Sequence, residues 1–197
     1  MYNNTSINLG DIIVSTTRGI NSSAIKSDGT YGVRLIKNKD IGEDGSFIAE
    51  NVDEEFVDNE KSCEKNKVHS GDVIVSLRGN FRVSIIPIEA EGFVLSNNLI
   101  AIDCKDKYNS EILASYLNSK LGSAELEKNA GGSTIRSLNL KSINDIEVPN
   151  FSPEEEENLA SLLIDTKKFF AIMEEEKKII ENSVNTIFLK KMEGVDK

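Results

Sequence analysis

The sequence predicts an α/β (α+β) fold, in which a globular domain with a mixed, strand-rich core is followed by a long C-terminal α-helix. Short β-branched and apolar runs, separated by glycine and asparagine turns, fill residues 1–150 in the way typical of strands. From Glu154 to about Met192, apolar residues recur at helical spacing without glycine or proline. Ser152-Pro153 suits a helix start, as an N-cap followed by a first helical residue. We therefore expect a domain in residues 1–150 and a helical region in residues 151–197.

The charge of the chain restricts how it can contact nucleic acid. It has 197 residues, 39% of them hydrophobic, and a formal net charge of −10, whereas a dedicated nucleic-acid binder is expected to be basic. The charge is uneven, since residues 40–64 hold ten acidic residues and one lysine. Residues 1–39 hold five basic and two acidic residues, a balance of +3. A basic face on an acidic molecule is therefore compatible with the sequence.

Nothing in the sequence predicts a membrane protein. The first residues, MYNNTSINLGD, lack the basic and apolar parts of a signal peptide, and no apolar run is long enough to cross a bilayer. Cys63 and Cys104 follow no metal-binding spacing, which favours reduced thiols. The expectation is a cytoplasmic protein without a membrane anchor.

Turn residues followed by β-branched runs predict the strands. A turn at residues 9–11 leads into a predicted strand over residues 12–15, and Tyr31 to Ile36 alternates as a second strand would. The acidic segment 40–64 predicts an exposed loop with a short strand near residues 47–48. Further strands are expected at residues 73–76, 83–88, 93–95 and 99–102. The first of these follows a Gly-Asp pair, as residues 12–15 do, and residues 77–82 (LRGNFR) form the tip of a hairpin.

Helical signals follow in the second half of the domain. Asn109 is the predicted cap of a helix beginning at Ser110, and Gly131-Gly132 ends this element. A short strand over residues 145–148 then closes on Pro149. The helix carries an apolar stripe at helical spacing, interpreted as core packing: Ile112, Leu113, Tyr116, Leu117 and Leu121.

The C-terminal helix is predicted to need a partner. Its apolar residues alternate at three- and four-residue spacing, as in a coiled coil: Leu159, Leu163, Phe170, Met173, Ile180, Val184 and Ile187. About 40 residues at 1.5 Å rise give a length of about 60 Å, more than a small domain can cover. A break near residues 174–177 into two shorter helices is the alternative that the sequence leaves open.

The sequence predicts no catalytic centre, no metal site and no cofactor. His69 is the single histidine, so only one candidate base exists for an imidazole-dependent site. Residues 131–134 lack the Gly-Lys-Ser/Thr of a phosphate loop, and residues 40–45 lack the ligand spacing of a calcium loop. The four glutamates at 154–157 fall on successive helix faces and favour the positive end of the helix dipole.

The junction of the two regions resembles the specificity (S) subunits of type I restriction-modification enzymes. In that family a strand ending in Ile-Pro leads through a short proline-containing link to Glu-Gln and a helix. In this sequence Val148-Pro149 match the Ile-Pro, Glu155 the glutamate and Leu159 the first apolar helix position, while Glu156 replaces the glutamine. Further matches occur at residues 71–76, 96–102 and 132–140, so the resemblance spans most of the chain.

The resemblance implies a target-recognition domain followed by a spacer helix. A full S subunit has two such halves with antiparallel helices, so this chain resembles a half-length subunit that dimerises to bind a bipartite target in double-stranded DNA. The S subunit of the family does no chemistry. It positions a methyltransferase (M) subunit, which uses S-adenosylmethionine to methylate adenine, and in full systems a nuclease (R) subunit.

Loops of the recognition domain are expected to contact DNA. Arginine can bind guanine through two hydrogen bonds, asparagine can bind adenine, and hydroxyls and lysines suit phosphates. The resulting candidates are Arg18, Asn21, Lys26, Arg34, Lys37, Arg78, Asn80, Arg82, Ser133, Thr134 and Arg136. The cluster at residues 78–82 is the strongest of them.

Two other functions remain open at this point. The acidic charge is compatible with an S-like interaction protein, such as an assembly partner, decoy or inhibitor, which engages methyltransferase subunits without binding DNA. An enzyme dependent on His69 is a more distant alternative.

Overall fold

The computed structural model describes residues 5–104 and 108–192, so the ends of both predicted regions, residues 1–4 and 193–197, lie outside the described residues. The chain divides into two compact units between Glu156 and Glu157. The described strands are β1 (Ser6–Asn8), β2 (Ser15–Arg18), β3 (Tyr31–Ile36), β4 (Glu54–Val57), β5 (Val73–Ser76), β6 (Val83–Ile85), β7 (Val94–Leu95), β8 (Leu99–Asp103) and β9 (Glu147–Pro149). The α-helices are α1 (Leu9–Ile12), α2 (Ser110–Asn118), α3 (Lys120–Asn129), α4 (Leu140–Asn144) and α5 (Pro153–Met192).

The described strands form three small sheets, with the orders β1-β9, β2-β8-β5-β6 and β4-β3-β7. The pairing of β3 with β7 is parallel, and the other pairings are antiparallel. β5 lies inside the largest sheet and is buried along its whole length, which its run of β-branched residues favours.

Apolar side chains from these sheets form the core of the first unit. The larger cluster includes Ile36, Ile74 and Leu99, which are fully buried. A smaller cluster lies around Val33 and Val57 on β3 and β4. α2 packs on β5 and β6, burying its own apolar face. The predicted fold, a strand-rich domain followed by a long helix, is confirmed.

The prediction of a turn and strand over residues 9–15 is wrong. Residues 9–12 form α1, and β2 begins only at Ser15. The cause is packing with a distant segment, since α1 contacts α4 and the N–H of Leu9 donates to the carbonyl of Ile146 at 2.7 Å. Burial of Leu9 and Ile12 in this contact overrides the local preference of the β-branched run.

The acidic segment is also more ordered than predicted. Residues 54–57 form β4, which pairs with β3. Ile41, Ala49 and Val52 are buried in the core while the acidic side chains between them are partly or fully exposed. The apolar pattern was missed in the sequence because acidic and apolar residues are interspersed along residues 40–64.

The helix beginning at Ser110 is confirmed, but its length was overestimated. The Asn109 side chain accepts hydrogen bonds from the N–H groups of Glu111 and Ile112, as an N-cap does. The helix ends at Asn118, and α3 begins after Ser119, so Leu121 is 73% exposed instead of packing in the core. Similarly, β6 ends before Pro87, which has no N–H for a strand pairing.

α5 is one continuous helix of 40 residues without a break at residues 174–177. Ser152 and Glu155 form a capping box at its start, in which the Glu155 carboxylate accepts hydrogen bonds from the N–H and O–H of Ser152, both at 2.8 Å. The N–H of Glu155 donates to the Ser152 hydroxyl at 3.4 Å. In the described part of the chain, no helix has both the length and the apolar character needed to span a bilayer.

Candidate nucleic-acid interface

The four-stranded sheet presents several polar loops at one end. Arg18 at the end of β2 pairs with Ile100 of β8, and Ser76 at the end of β5 pairs with Leu99 at the start of β8. Because these pairings are antiparallel, the segments that leave β2 and β5 lie at the same end as the segment that enters β8. Residues 18–21, 77–82 and 96–98 therefore lie together, and we call this end of the sheet, with these residues, the loop end.

A fourth segment, residues 131–137, is attached to the loop end by backbone hydrogen bonds. Gly131 and Ser137 exchange N–H···O bonds of 2.9 and 2.8 Å, which close the segment into a compact loop. The N–H of Gly79 donates to the carbonyl of Arg136 at 3.1 Å, and the N–H of Leu138 donates to Leu77 at 2.9 Å. These bonds bring Ser133, Thr134 and Arg136 beside the loop of Arg78 and Asn80, although about 50 residues separate the two in sequence.

The loop at residues 77–82 is held from inside the domain. The buried Ser76 hydroxyl donates to the carbonyl of Asn80 at 3.0 Å and accepts from the N–H of Arg82 at 2.8 Å. Gly79 has φ of +75°, which side-chain-bearing residues rarely adopt. Arg78 and Asn80 are exposed, and within the described residues neither side chain has a hydrogen-bond or ion-pair partner.

Arg82 and Arg136, by contrast, have internal partners. The Arg82 guanidinium donates to the carbonyl of Ile41 at 2.8 Å and to the carboxylate of Glu43 at 3.1 Å. The Arg136 guanidinium forms an ion pair with Glu127 at 3.3 Å. Glu43 is highly exposed, so its ion pair with Arg82 lies at the surface and is weak by nature.

The segment from Arg18 to Lys26 lies on the other side of the loop end. Arg18 and Asn21 are exposed, and the Asn66 side chain donates to the carbonyl of Arg18 at 2.6 Å. A Cβ on Gly19 would lie 1.7 Å from the carbonyl oxygen of Ser96, so only glycine allows this close approach to the loop at 96–98. Asn21 and Lys26 line a polar depression of about 380 Å³.

Arg34 and Lys37 are tied into the fold beside β4. Arg34 donates to the carbonyls of Ala49 and Glu50 at 2.9 and 3.1 Å, and its guanidinium lies 5.5 Å from the centre of the Phe93 ring. Lys37 bonds the carboxylate of Glu55, which raises the pKa of Lys37 above its usual range. Both side chains thus have structural roles that the sequence did not predict, and their contact with DNA stays a prediction.

Glu156, which replaces the expected glutamine, makes a contact that a glutamine can also make. Its carboxylate accepts a hydrogen bond from the backbone N–H of Asn109, the residue that caps α2. A carboxylate is favourable there because the start of a helix carries partial positive charge. The carbonyl oxygen of a glutamine can accept the same bond, so the substitution is compatible with the contact.

The loop end offers side chains that can form hydrogen bonds and ion pairs with a ligand. The described residues include no group of three or more His, Cys, Asp or Glu side chains suited to a metal ion. His69 precedes β5, at the end of this strand opposite to the loop end, where its ring contacts the carboxylate of Glu91 at 2.7 Å. No predicted DNA-binding residue lies in this contact.

Comparison with known proteins identifies the family. The family model described as the type I restriction modification DNA specificity domain matches residues 2–182. Comparison with curated protein sequences gave no match.

Solved structures with the same fold include a protein described under complex assembly and conformational transition of the type I R-M system (TM-score 0.63, 16% identity). They also include the HsdS subunit from Thermoanaerobacter tengcongensis (0.55, 16%) and the S subunit of a type I restriction-modification system from M. genitalium (0.52, 13%). The matches cover 92%, 86% and 94% of this chain but 43%, 38% and 44% of those proteins, so the chain spans less than half of their length. The chain belongs to the family of type I restriction-modification DNA specificity domains, which are specificity modules and not methyltransferases.

Proposed function

We propose that this chain is the non-catalytic DNA sequence-recognition subunit of a type I-like restriction-modification methyltransferase, binding a bipartite DNA target as a dimer and docking methyltransferase subunits. The observation that carries the proposal is the loop end. Arg18, Arg78 and Asn80, with the hydroxyls of Ser133 and Thr134, lie exposed on loops that converge there from distant parts of the sequence. Membership of the specificity-domain family supports the same function.

The chemistry of these groups fits the edges and backbone of duplex DNA. The guanidinium of Arg78 has no partner among the residues that the structure describes, so it is available for two hydrogen bonds to O6 and N7 of guanine. The amide of Asn80 suits adenine in the same way. Hydroxyls, as at Ser133 and Thr134, suit phosphate oxygens and set the register of the protein on the duplex.

The exposed seam of α5 supports dimerisation. Phe170, Ile180 and Ile187 are each 64–65% exposed within the chain, and Met173 and Val184 are also exposed. Leu159 and Leu163 at the start of the seam are partly buried. Covering such a seam with a second helix stabilises both, and a second copy of the chain supplies a matching seam. A two-fold dimer then carries two loop ends and suits a target with two half-sites.

Partner subunits would supply the chemistry. In this proposal an M subunit docks on the dimer and carries S-adenosylmethionine, and a nuclease (R) subunit joins in systems that cleave DNA. This chain would contribute sequence recognition and the spacing between half-sites.

The second candidate is an S-like interaction protein that engages methyltransferase subunits without binding DNA. One observation favours it: carboxylates neutralise several of the predicted DNA-binding cations. Lys37 pairs with Glu55, Arg82 with Glu43 and Arg136 with Glu127, on a chain with a net charge of −10.

Charge reversal at Arg78 separates the two functions. We expect Arg78→Glu to weaken duplex binding by the complex of this chain with its methyltransferase about tenfold or more, and to lower the salt dependence of binding. The matched control is Lys141→Glu, which changes charge equally on the exposed surface of α4, outside the loop end. Wild-type complex that lacks salt-dependent duplex binding would contradict the proposal, and unchanged methyltransferase activity in Arg78→Glu would favour the interaction protein.

A further inference from the structure

The turn at residues 96–99 lies at the centre of the loop end. On one side, Ile20 forms a bridge with Ser96 and its N–H donates to Leu95 at 2.7 Å. On the other side, the N–H of Leu77 donates to the carbonyl of Asn98 at 2.8 Å. The turn therefore separates the segment of Arg18 from the segment of Arg78, and any duplex that contacts both arginines passes over it.

The backbone of this turn is fixed from several directions. The N–H of Leu99 donates to Ser96 at 3.0 Å and closes the turn, while the N–H of Ser96 donates to Ile36 on β3 at 2.9 Å. The close approach of Gly19 leaves no room for the turn to move toward β2. Leu99 is fully buried at the start of β8. A site built on rigid elements holds its side chains at defined positions, as base recognition requires.

Asn97 is the exposed residue of this anchored turn, and its side chain lacks the structural contacts that several other asparagines of the chain make. Asn59, Asn109 and Asn139 use their side-chain oxygens to cap helical segments. Asn118 donates to the carbonyl of Val83. Within the described residues, the amide of Asn97 has no hydrogen-bond partner, although it offers both a donor and an acceptor.

We infer that Asn97 is a base-contacting specificity residue, whose side-chain amide binds an adenine of the target between the contacts of Arg18 and Arg78. The inference rests on the proposed function. An asparagine amide donates to N7 and accepts from the N6 amino group of adenine in the major groove, a pairing that no other base offers. The flanking guanidiniums suit guanine or phosphate, so the three side chains together would contact successive positions along the duplex.

A purely structural role of Asn97 in the turn can be distinguished from adenine recognition by the choice of substitution. Asparagine is common in turns because its side chain bonds the nearby backbone and tolerates turn conformations. Serine supports turns for a similar reason but lacks the paired donor and acceptor of an amide. Asn97→Ser therefore keeps a turn-favouring side chain while removing adenine recognition. Asn97→Ala removes both the adenine recognition and the turn-favouring side chain, but it leaves the backbone hydrogen bonds that hold the turn.

The test selects binding sites from a randomised DNA duplex library with the full chain in complex with its methyltransferase. We expect wild-type protein to enrich a bipartite sequence. Asn97→Ser and Asn97→Ala should each lower the preference for one adenine-containing base pair per half-site about 5- to 100-fold, and preserve the other positions. Asn51→Ala, at an exposed asparagine outside the loop end, is the matched control and should select the wild-type sequence.

The outcomes separate this inference from the proposed function. Wild-type complex that enriches no sequence overturns both. Variants that select the wild-type sequence with undiminished preference overturn the assignment of Asn97 alone, and so does a loss of preference at a base pair without adenine. If both variants lose thermal stability together with all duplex binding, Asn97 serves the turn and the inference is wrong.

Discussion

The first unit, up to Glu156, and the α5 residues that follow it use the same apolar residue types in opposite ways. Ile74 in β5 is 0% exposed and packs in the larger core cluster, whereas Ile180 in α5 is 64% exposed. The sheets and α2 of the first unit bury one another's apolar side chains. α5 from Glu157 onward has a regular backbone but a seam of uncovered apolar side chains.

This difference in burial shows which region has its own source of folding stability. Burial of apolar area is the main favourable contribution to folding, so the first unit has its own source of stability. A helix gains most of its stability in proteins from packing of its apolar face. The same substitution should therefore affect folding in one region and association in the other.

The largest effect is expected in the core. Ile74→Ala removes a fully buried side chain from the centre of the sheet and should lower the free energy of unfolding by about 2–5 kcal/mol. Urea denaturation followed by circular dichroism measures this loss. A cost well under 1 kcal/mol would show that the core is not packed around β5 as described.

The same substitution in α5 should act on association. Ile180→Ala is expected to leave the unfolding of the first unit nearly unchanged but to weaken self-association about tenfold, because each copy loses an apolar contact at the shared seam. Ile180→Asp should abolish it. Analytical ultracentrifugation over a range of concentrations measures the dissociation constant.

Lys167→Ala is the surface control for the α5 substitutions, since this exposed residue lies outside the predicted seam. Wild-type protein that is monomeric at all concentrations, alone and with its methyltransferase, would refute the dimer. A dimer that Ile180→Asp does not disturb would show that another surface carries the association.

The features that the sequence predicts well are those determined by neighbouring residues. The cap at Asn109 and the helix start at Ser152-Pro153 depend on side chains within one turn, and both are present. The period of the α5 seam likewise follows from spacing alone. α1 and β4 were missed because they form through contacts with α4 and β3, which are distant in sequence.

In the candidate site, too, the sequence predicts local features but not those that depend on contacts between distant segments. The sequence identified both Arg78 and Arg34 as candidates, with the cluster of Arg78 the stronger, but only the fold reveals that Arg34 bonds the carbonyls of residues 49 and 50. It also reveals that residues 131–137 join the loop of Arg78. Residues 96–102 match the family in sequence, but nothing in that match marked Asn97 as a DNA contact, because asparagine in a turn is ordinary and its position between two arginines depends on the order of the strands.

The smallest expected effect lies at the start of α5, where the capping box should make the first turn sensitive to acid. The N–H and O–H of Ser152 both donate to the Glu155 carboxylate and hold the pKa of Glu155 below its usual value. Since the pKa is lower in the folded state, this contact contributes its full stabilisation above the unfolded value of about 4.3 and loses it as the pH falls through the folded pKa. NMR titration of the Glu155 carboxyl should give a depressed pKa in wild-type protein and a less depressed pKa in Ser152→Ala, which loses the O–H donor but keeps the backbone N–H donor. Equal pKa values in the two proteins would show that the hydrogen bond from the Ser152 hydroxyl does not persist in solution, and the backbone N–H of Ser152, Pro153 and the helix dipole would then account for the start of α5.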